Sequence, residues 1–153
     1  MASGVVKRIA VPTDFSEASD RAVAYAAALG RRVGASVYLM HVLRDQSHYH
    51  LARVRLRALA DRLTCGVPRV ALEVRDGAPA GSIAEAAMHY GADLIVMATH
   101  ARSGLAHLFS GSVAERLIRI ASCPVLVLRD TDTVQIDLPE EAYEEVGELE
   151  GVA

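Results

Sequence analysis

Short apolar, β-branched runs alternate with longer segments patterned at the helical period along most of this chain, and that alternation narrows the fold more than any other feature. VVKRIAVPT (5–13), with Pro12 near its end, reads as a buried strand, and SEASDRAVAYAAALGRRVG (16–34) as a helix closed by Gly34. ASVYLMHVL (35–43) is a second strand. Residues 48–65 place Leu51, Val54, Leu59 and Leu63 at helical spacing, with Gly66 ending the helix. RVALEVRDG (69–77) alternates as a half-buried edge strand does. PAGSIAEAAMHYG (79–91) starts on Pro and stops on Gly, the usual asymmetry of a helix. DLIVMA (93–98) is a continuous apolar strand, SVAERLIRIAS (112–122) a helix, and PVLVL (124–128) a fifth strand.

Five strands alternating with four helices predict a doubly wound α/β domain, an open parallel five-stranded sheet with helices on both faces. With strand order 3-2-1-4-5, the topological switch falls between strands 1 and 4, where open sheets of this kind bind ligands beyond the strand carboxyl ends. Two loops meet there, PTDFS (12–16) and ATHARSG (98–104).

At 153 residues the chain is long enough for a full hydrophobic core without disulfide or metal staples. Cys65 and Cys123 have neither zinc-site spacing nor the density of a disulfide scaffold, which fits a reducing compartment. The start has no long apolar stretch of a secretory signal, and no run approaches the roughly 18 apolar residues of a membrane span. A cytoplasmic location without membrane insertion is expected. Net charge is −3, but it divides unevenly: residues 1–129 carry all 16 basic and 10 acidic residues, giving +6, whereas residues 130–153 carry 9 acidic residues and no basic one, giving −9. The chain therefore reads as a domain over 1–129 followed by a separate acidic tail over 130–153. Arg53, Arg55, Arg57 and Arg62 crowd one helical segment, but their spacing spreads them around it and no aromatic residues interleave, so no nucleic-acid partner is expected.

The loop after strand 4 has neither the G-x-x-x-x-G-K-[ST] phosphate loop nor the G-x-G-x-x-G dinucleotide motif. Gly111-Ser112 does open a helix, whose free N–H groups and dipole favour an anion. SVAE (112–115) also reads as a capping box in which Ser112 and Glu115 satisfy the helix's own donors. Spacing alone leaves both readings open. Asp14 and Glu17 pose the same choice at the first helix, between ligand contact and capping. His41 and His100 end strands 2 and 4 and could face one crevice, yet the histidines and cysteines show no metal-ligand spacing, and no metal site is expected.

PTDFSEAS after the first strand, HV near the end of the second, GADLIVMATHARSGL and GSVAERLIRIASCPVLVLR together resemble the universal stress protein family over residues 5 to 129. The resemblance implies a five-stranded α/β domain that commonly dimerises through its last strand, here Pro124, Val125, Leu126, Val127 and Leu128. It also implies a division into members that bind ATP or related adenine nucleotides and members that do not. Nucleotide-binding members carry G-x2-G-x9-G-[ST]; aligned on Gly111-Ser112, that pattern has Ala98 and Ala101 in place of its first two glycines, with the following spacing intact. By this resemblance Pro12, Thr13, Asp14 and the main chain at Val42 hold the nucleoside end, and Met97 lines the pocket. The phosphates lie across Ala98, His100, Ala101, Arg102, Gly111, Ser112 and Val113, with Mg²⁺ held mainly by phosphate oxygens and water.

The expected function is a homodimeric stress-response protein that binds an adenine nucleotide, ATP, ADP or AMP, between strands 1 and 4 and signals through an unknown protein partner. It is not expected to be an enzyme beyond weak, incidental ATP hydrolysis, because the two crevice loops, PTDFS and ATHARSG, hold no lysine and no carboxylate besides Asp14. A phosphoacceptor receiver domain shares the strand order but wants paired acids after strand 1 and a lysine after strand 5, where this chain has Asp14 and Arg129. The alternative is a nucleotide-independent dimeric interaction module. Its acidic tail, with TVQIDL (133–138) alternating and Ala142, Tyr143, Val146 and Leu149 near one helical face, could dock on the basic body, bind another protein or remain unstructured.

Overall fold

A computed structural model describes residues 5–99 and 112–129. In chain order these form β1 (Arg8–Pro12), α1 (Glu17–Val33), β2 (Ser36–Leu43), a 3₁₀ turn (Gln46–His48), α2 (Tyr49–Leu63), β3 (Val70–Asp76), α3 (Pro79–Tyr90), β4 (Leu94–Ala98), α4 (Ser112–Ile120) and β5 (Val125–Leu128). The sheet runs β3-β2-β1-β4-β5, and every pairing is parallel. This is the expected doubly wound order, and the segments alternate as the hydrophobic pattern predicts.

Both faces of β1 are covered, which explains its continuous apolar run. Ile9 and Val11 face α1 and α2, in a cluster with Val23, Ala26, Leu39 and Leu56. Ala10 faces α3 and α4, with Met40, Ile83, Ile95 and Leu117. Each fully buried Ile, Leu or Val contributes about 1.5–3 kcal/mol by leaving water, so the sheet's centre carries much of the stability. β3 lies at the edge, and its side chains are half-buried along most of its length.

α1 packs closely because its inner face is small, with Ala18, Ala22, Ala26 and Gly30 all buried. It ends on Gly34 in the left-handed conformation at φ 73°, as the sequence pattern predicts. α2 departs from expectation in which residues it buries. Leu59 is buried and Leu63 packs against the core as expected, but Leu51 and Val54 are exposed, and Ala52, Leu56 and Ala60 turn inward. Packing against β2 and β3 selects this face. The helix also ends at Leu63 with Thr64 as its cap, two residues before Gly66. Among the described residues no helix is long and apolar enough to cross a membrane. The acidic segment 130–153 lies outside the described residues.

Candidate functional site

The carboxyl ends of β1 and β4 open onto a crevice whose first wall is the β1–α1 loop. Thr13 extends the β1 to β2 ladder by donating its N–H to the Met40 carbonyl at 2.8 Å, which draws its side chain into the interior. There Thr13 Oγ1 lies 3.0 Å from Ser19 Oγ and accepts the N–H of Phe15 at 3.0 Å. Asp14 is exposed, and its Oδ1 accepts the Ser16 N–H at 3.0 Å. Ser16 is the residue that caps α1, accepting the Ser19 N–H at 3.2 Å. The Asp14/Glu17 capping reading is thereby corrected: the cap falls two residues later, and Asp14 closes a turn ahead of it.

Phe15 is the one non-glycine among the described residues with positive φ, at 63°. Holding a bulky L-residue there costs on the order of 1–2 kcal/mol, and such strain persists only where the surroundings enforce it. Here the Phe15 ring packs against His41, centroids 4.4 Å apart, and under the Arg55 guanidinium, 4.4 Å from the ring centre. His41 Nδ1 in turn lies 2.7 Å from the Thr13 carbonyl oxygen. A carbonyl only accepts, so Nδ1 carries the proton in this bond.

The opposite wall comes from β4 and α4. Ala98 is the last residue of β4, in register with Leu128, and Thr99 continues the pairing by donating to the Leu128 carbonyl at 2.9 Å. Because Ala98 has no positive φ, its position does not require a glycine's conformational freedom. α4 starts at Ser112 itself, so Ser112 occupies the first helical turn, and the preceding position, Gly111, lies outside the described residues. This start does not match the proposed SVAE box, which needs Ser112 one position earlier as the cap.

Between the walls is a cavity of about 470 Å³, within the range of small-molecule sites. Pro12, Thr13, Asp14, Val42, Met97, Ala98, Ser112 and Val113 all line it. His100, Ala101, Arg102 and Gly111 lie outside the described residues. Pattern reading had noted His41 as a crevice residue but had not singled out Ser19, Leu43, Arg44, Pro79, Ile83 or Thr99, which also line the cavity. Their common signal is position: they follow the ends of β2 and β4 or lie on helices that begin beside the crevice.

Pro12, Val42, Ile83 and Met97 give the cavity an apolar lining, and Asp14 adds a carboxylate residue to it. Arg44 and the start of α4 bring positive charge to the rim. Asp14 is the single carboxylate among the described lining residues, and no group of three or more His, Cys, Asp or Glu among the described residues is placed to hold a metal. The half-buried Cys123 lies away from this cavity, and burial together with the charge of Asp93 pushes its thiol up. At the sheet edge, Val125, Leu126 and Val127 are half-buried, Leu128 is buried and Pro124 is exposed. β5 pairs only with β4 among the described residues.

Fold and crevice define a doubly wound α/β domain with a ligand-sized cavity at its topological switch point. The chain belongs to the universal stress protein family, whose model matches residues 6–129. Universal stress protein MJ0531 of Methanocaldococcus jannaschii is 34% identical over 139 residues, covering 80% of this chain and 82% of that protein. The solved structure of hypothetical protein MJ0577, from the same organism, superposes with a TM-score of 0.69 at 26% identity and covers 84% of this chain and 99% of the other. A universal stress protein crystallised in complex with cAMP gives a TM-score of 0.68 at 24% identity, covering 83% and 99% of the two chains, and shows the same fold.

Proposed function

We propose that this protein binds an adenine nucleotide, ATP, ADP or AMP, in the crevice between β1 and β4 and acts in the stress response as a homodimer rather than as an enzyme. The observation that carries this reading is convergence: residues from β1, β2, β4, α4 and the β1–α1 loop border one cavity of about 470 Å³. The apolar lining from Pro12, Val42, Ile83 and Met97 suits an adenine ring, the Asp14 carboxylate suits ribose hydroxyls, and Arg44 with the α4 start suits phosphate. Arg102, His100, Ala101, Gly111 and Val113 complete the phosphate side in this reading. Mg²⁺ accompanies a triphosphate through phosphate oxygens and water.

Phosphoryl transfer requires a positioned base and charge compensation at the γ-phosphate. A single carboxylate and the absence of lysine among the described lining residues support a binding role. Among the described residues β5 pairs only with β4, and that edge position supports pairing with a second copy through residues 124–128, in a domain spanning 1–129 with the acidic tail as a separate segment. A cytoplasmic location and an unidentified protein partner belong to the same reading.

Calorimetric titration of ATP, ADP and AMP with Mg²⁺ tests it, after a denatured sample has been checked for co-purified nucleotide. Micromolar binding of at least one is expected. No binding up to millimolar, with none co-purified, overturns the reading in favour of a nucleotide-independent interaction module. Sedimentation of the full chain as a monomer would overturn the dimer.

A further inference from the structure

The β1–α1 loop is held in a strained shape by one residue of the cavity wall, His41, and one outside the cavity, Arg55. Phe15, at φ 63°, has its ring in contact with both the His41 imidazole and the guanidinium of Arg55, each 4.4 Å from the ring centre. Arg55 is an exposed residue of α2 and does not line the cavity. Thr13 and Asp14, immediately before Phe15, do line it, as does His41, which is bonded to the Thr13 carbonyl.

We propose that Arg55 is a positioning residue for the ligand cavity: by stacking on Phe15 it presses that ring against His41 and keeps Thr13 and Asp14 in binding geometry. The chain of contact is continuous. Arg55 lies over the Phe15 ring, His41 packs on the same ring and bonds to the Thr13 carbonyl, and the Phe15 N–H returns to Thr13 Oγ1 at 3.0 Å. A left-handed phenylalanine relaxes readily when a neighbour is removed, because no intrinsic backbone preference holds it. The guanidinium suits the task, since its flat, weakly hydrated face lies on an aromatic ring better than an ammonium does. Occupancy of the α2 surface by any partner that engages Arg55 would then change the affinity of the cavity.

This inference rests on the cavity being a nucleotide site, so the test separates the two. ATP with Mg²⁺ is titrated into full-length wild type, Arg55→Ala, Arg55→Lys, Phe15→Gly and the Phe15→Gly/Arg55→Ala double variant. Thermal melting of each controls for folding, and amide exchange at Phe15 is followed in wild type and Arg55→Ala. Arg55→Ala is expected to weaken ATP about three- to tenfold and to speed Phe15 exchange, with Arg55→Lys recovering part of the loss. In the Phe15→Gly background, where no ring remains to hold, removing Arg55 should cost nothing further. Equal losses in both backgrounds, or no loss in either, would overturn the proposal. If wild type binds no ATP, the nucleotide reading falls, and the loop claim is decided by Phe15 exchange, an unchanged rate in Arg55→Ala refuting it.

Discussion

Thr13 Oγ1 and Ser19 Oγ lie 3.0 Å apart, both residues buried, and join the end of β1 to the first turn of α1. The same Thr13 oxygen accepts the Phe15 N–H, so Thr13→Val removes an acceptor and leaves a partly buried donor without its partner. We expect a loss of about 1–3 kcal/mol in urea unfolding. A change below about 0.5 kcal/mol would show that water replaces the hydroxyl without cost.

Ser16 and Asp14 should separate stability from binding. Ser16→Ala deletes the α1 cap and should cost about 0.5–2 kcal/mol of unfolding free energy, with ATP affinity little changed. Asp14→Asn retains an amide oxygen for the Ser16 N–H but removes the charge facing the cavity. It should weaken ATP about tenfold at nearly constant stability. If calorimetry finds the two effects exchanged, the assignment of cap and ligand contact is inverted.

Ala98 stands where the nucleotide-binding pattern has glycine, yet its φ is not positive. Ala98→Gly should therefore leave ATP affinity within about twofold while lowering stability by roughly 0.5–1 kcal/mol, the entropic cost of glycine inside a strand. Marked tightening in the titration would mean that the alanine methyl, not backbone strain, obstructs the ligand.

The two cysteines should react in a set order. Cys65 is exposed; Cys123 is half-buried, and its thiol is pushed up by burial and by Asp93. Less thiolate forms at Cys123 at a given pH, so iodoacetamide at about pH 8 should label Cys65 first. In Cys65→Ser, labelling of Cys123 should be slow and accelerate as pH rises beyond the ordinary thiol range. Mass spectrometry of a time course checks this, and equal initial rates would contradict it.

Strand and helix identities were legible along the chain because they follow from which side chains must leave water, and that partition is local. The contrast between continuous DLIVMA and alternating RVALEVR indicated a central and an edge strand, whereas the full 3-2-1-4-5 order was assumed for the doubly wound class and is shown by the sheet itself. Legibility failed where two local patterns were equally good. On α2, Leu59 is reached both from Leu51 and Val54 and from Ala52 and Leu56, and only the approach of β2 and β3 distinguishes the exposed pair from the buried one. Before α1, Asp14 and Ser16 are both competent caps, and the left-handed turn at Phe15 places Ser16 where the helix begins.

The amino-acid pattern alone was sufficient for the fold class, the family resemblance and the placing of the β1–α1 loop and the end of β4 at the crevice. These rest on periodicity and on residues close together in the chain. The packed sheet was needed to bring Arg44 of the β2 end and Ile83 of α3 to the cavity containing Thr13, and to place Arg55 over Phe15. Those meetings join residues some 30 to 70 positions apart, and they depend on strand register and helix rotation, which short-range side-chain preferences do not encode.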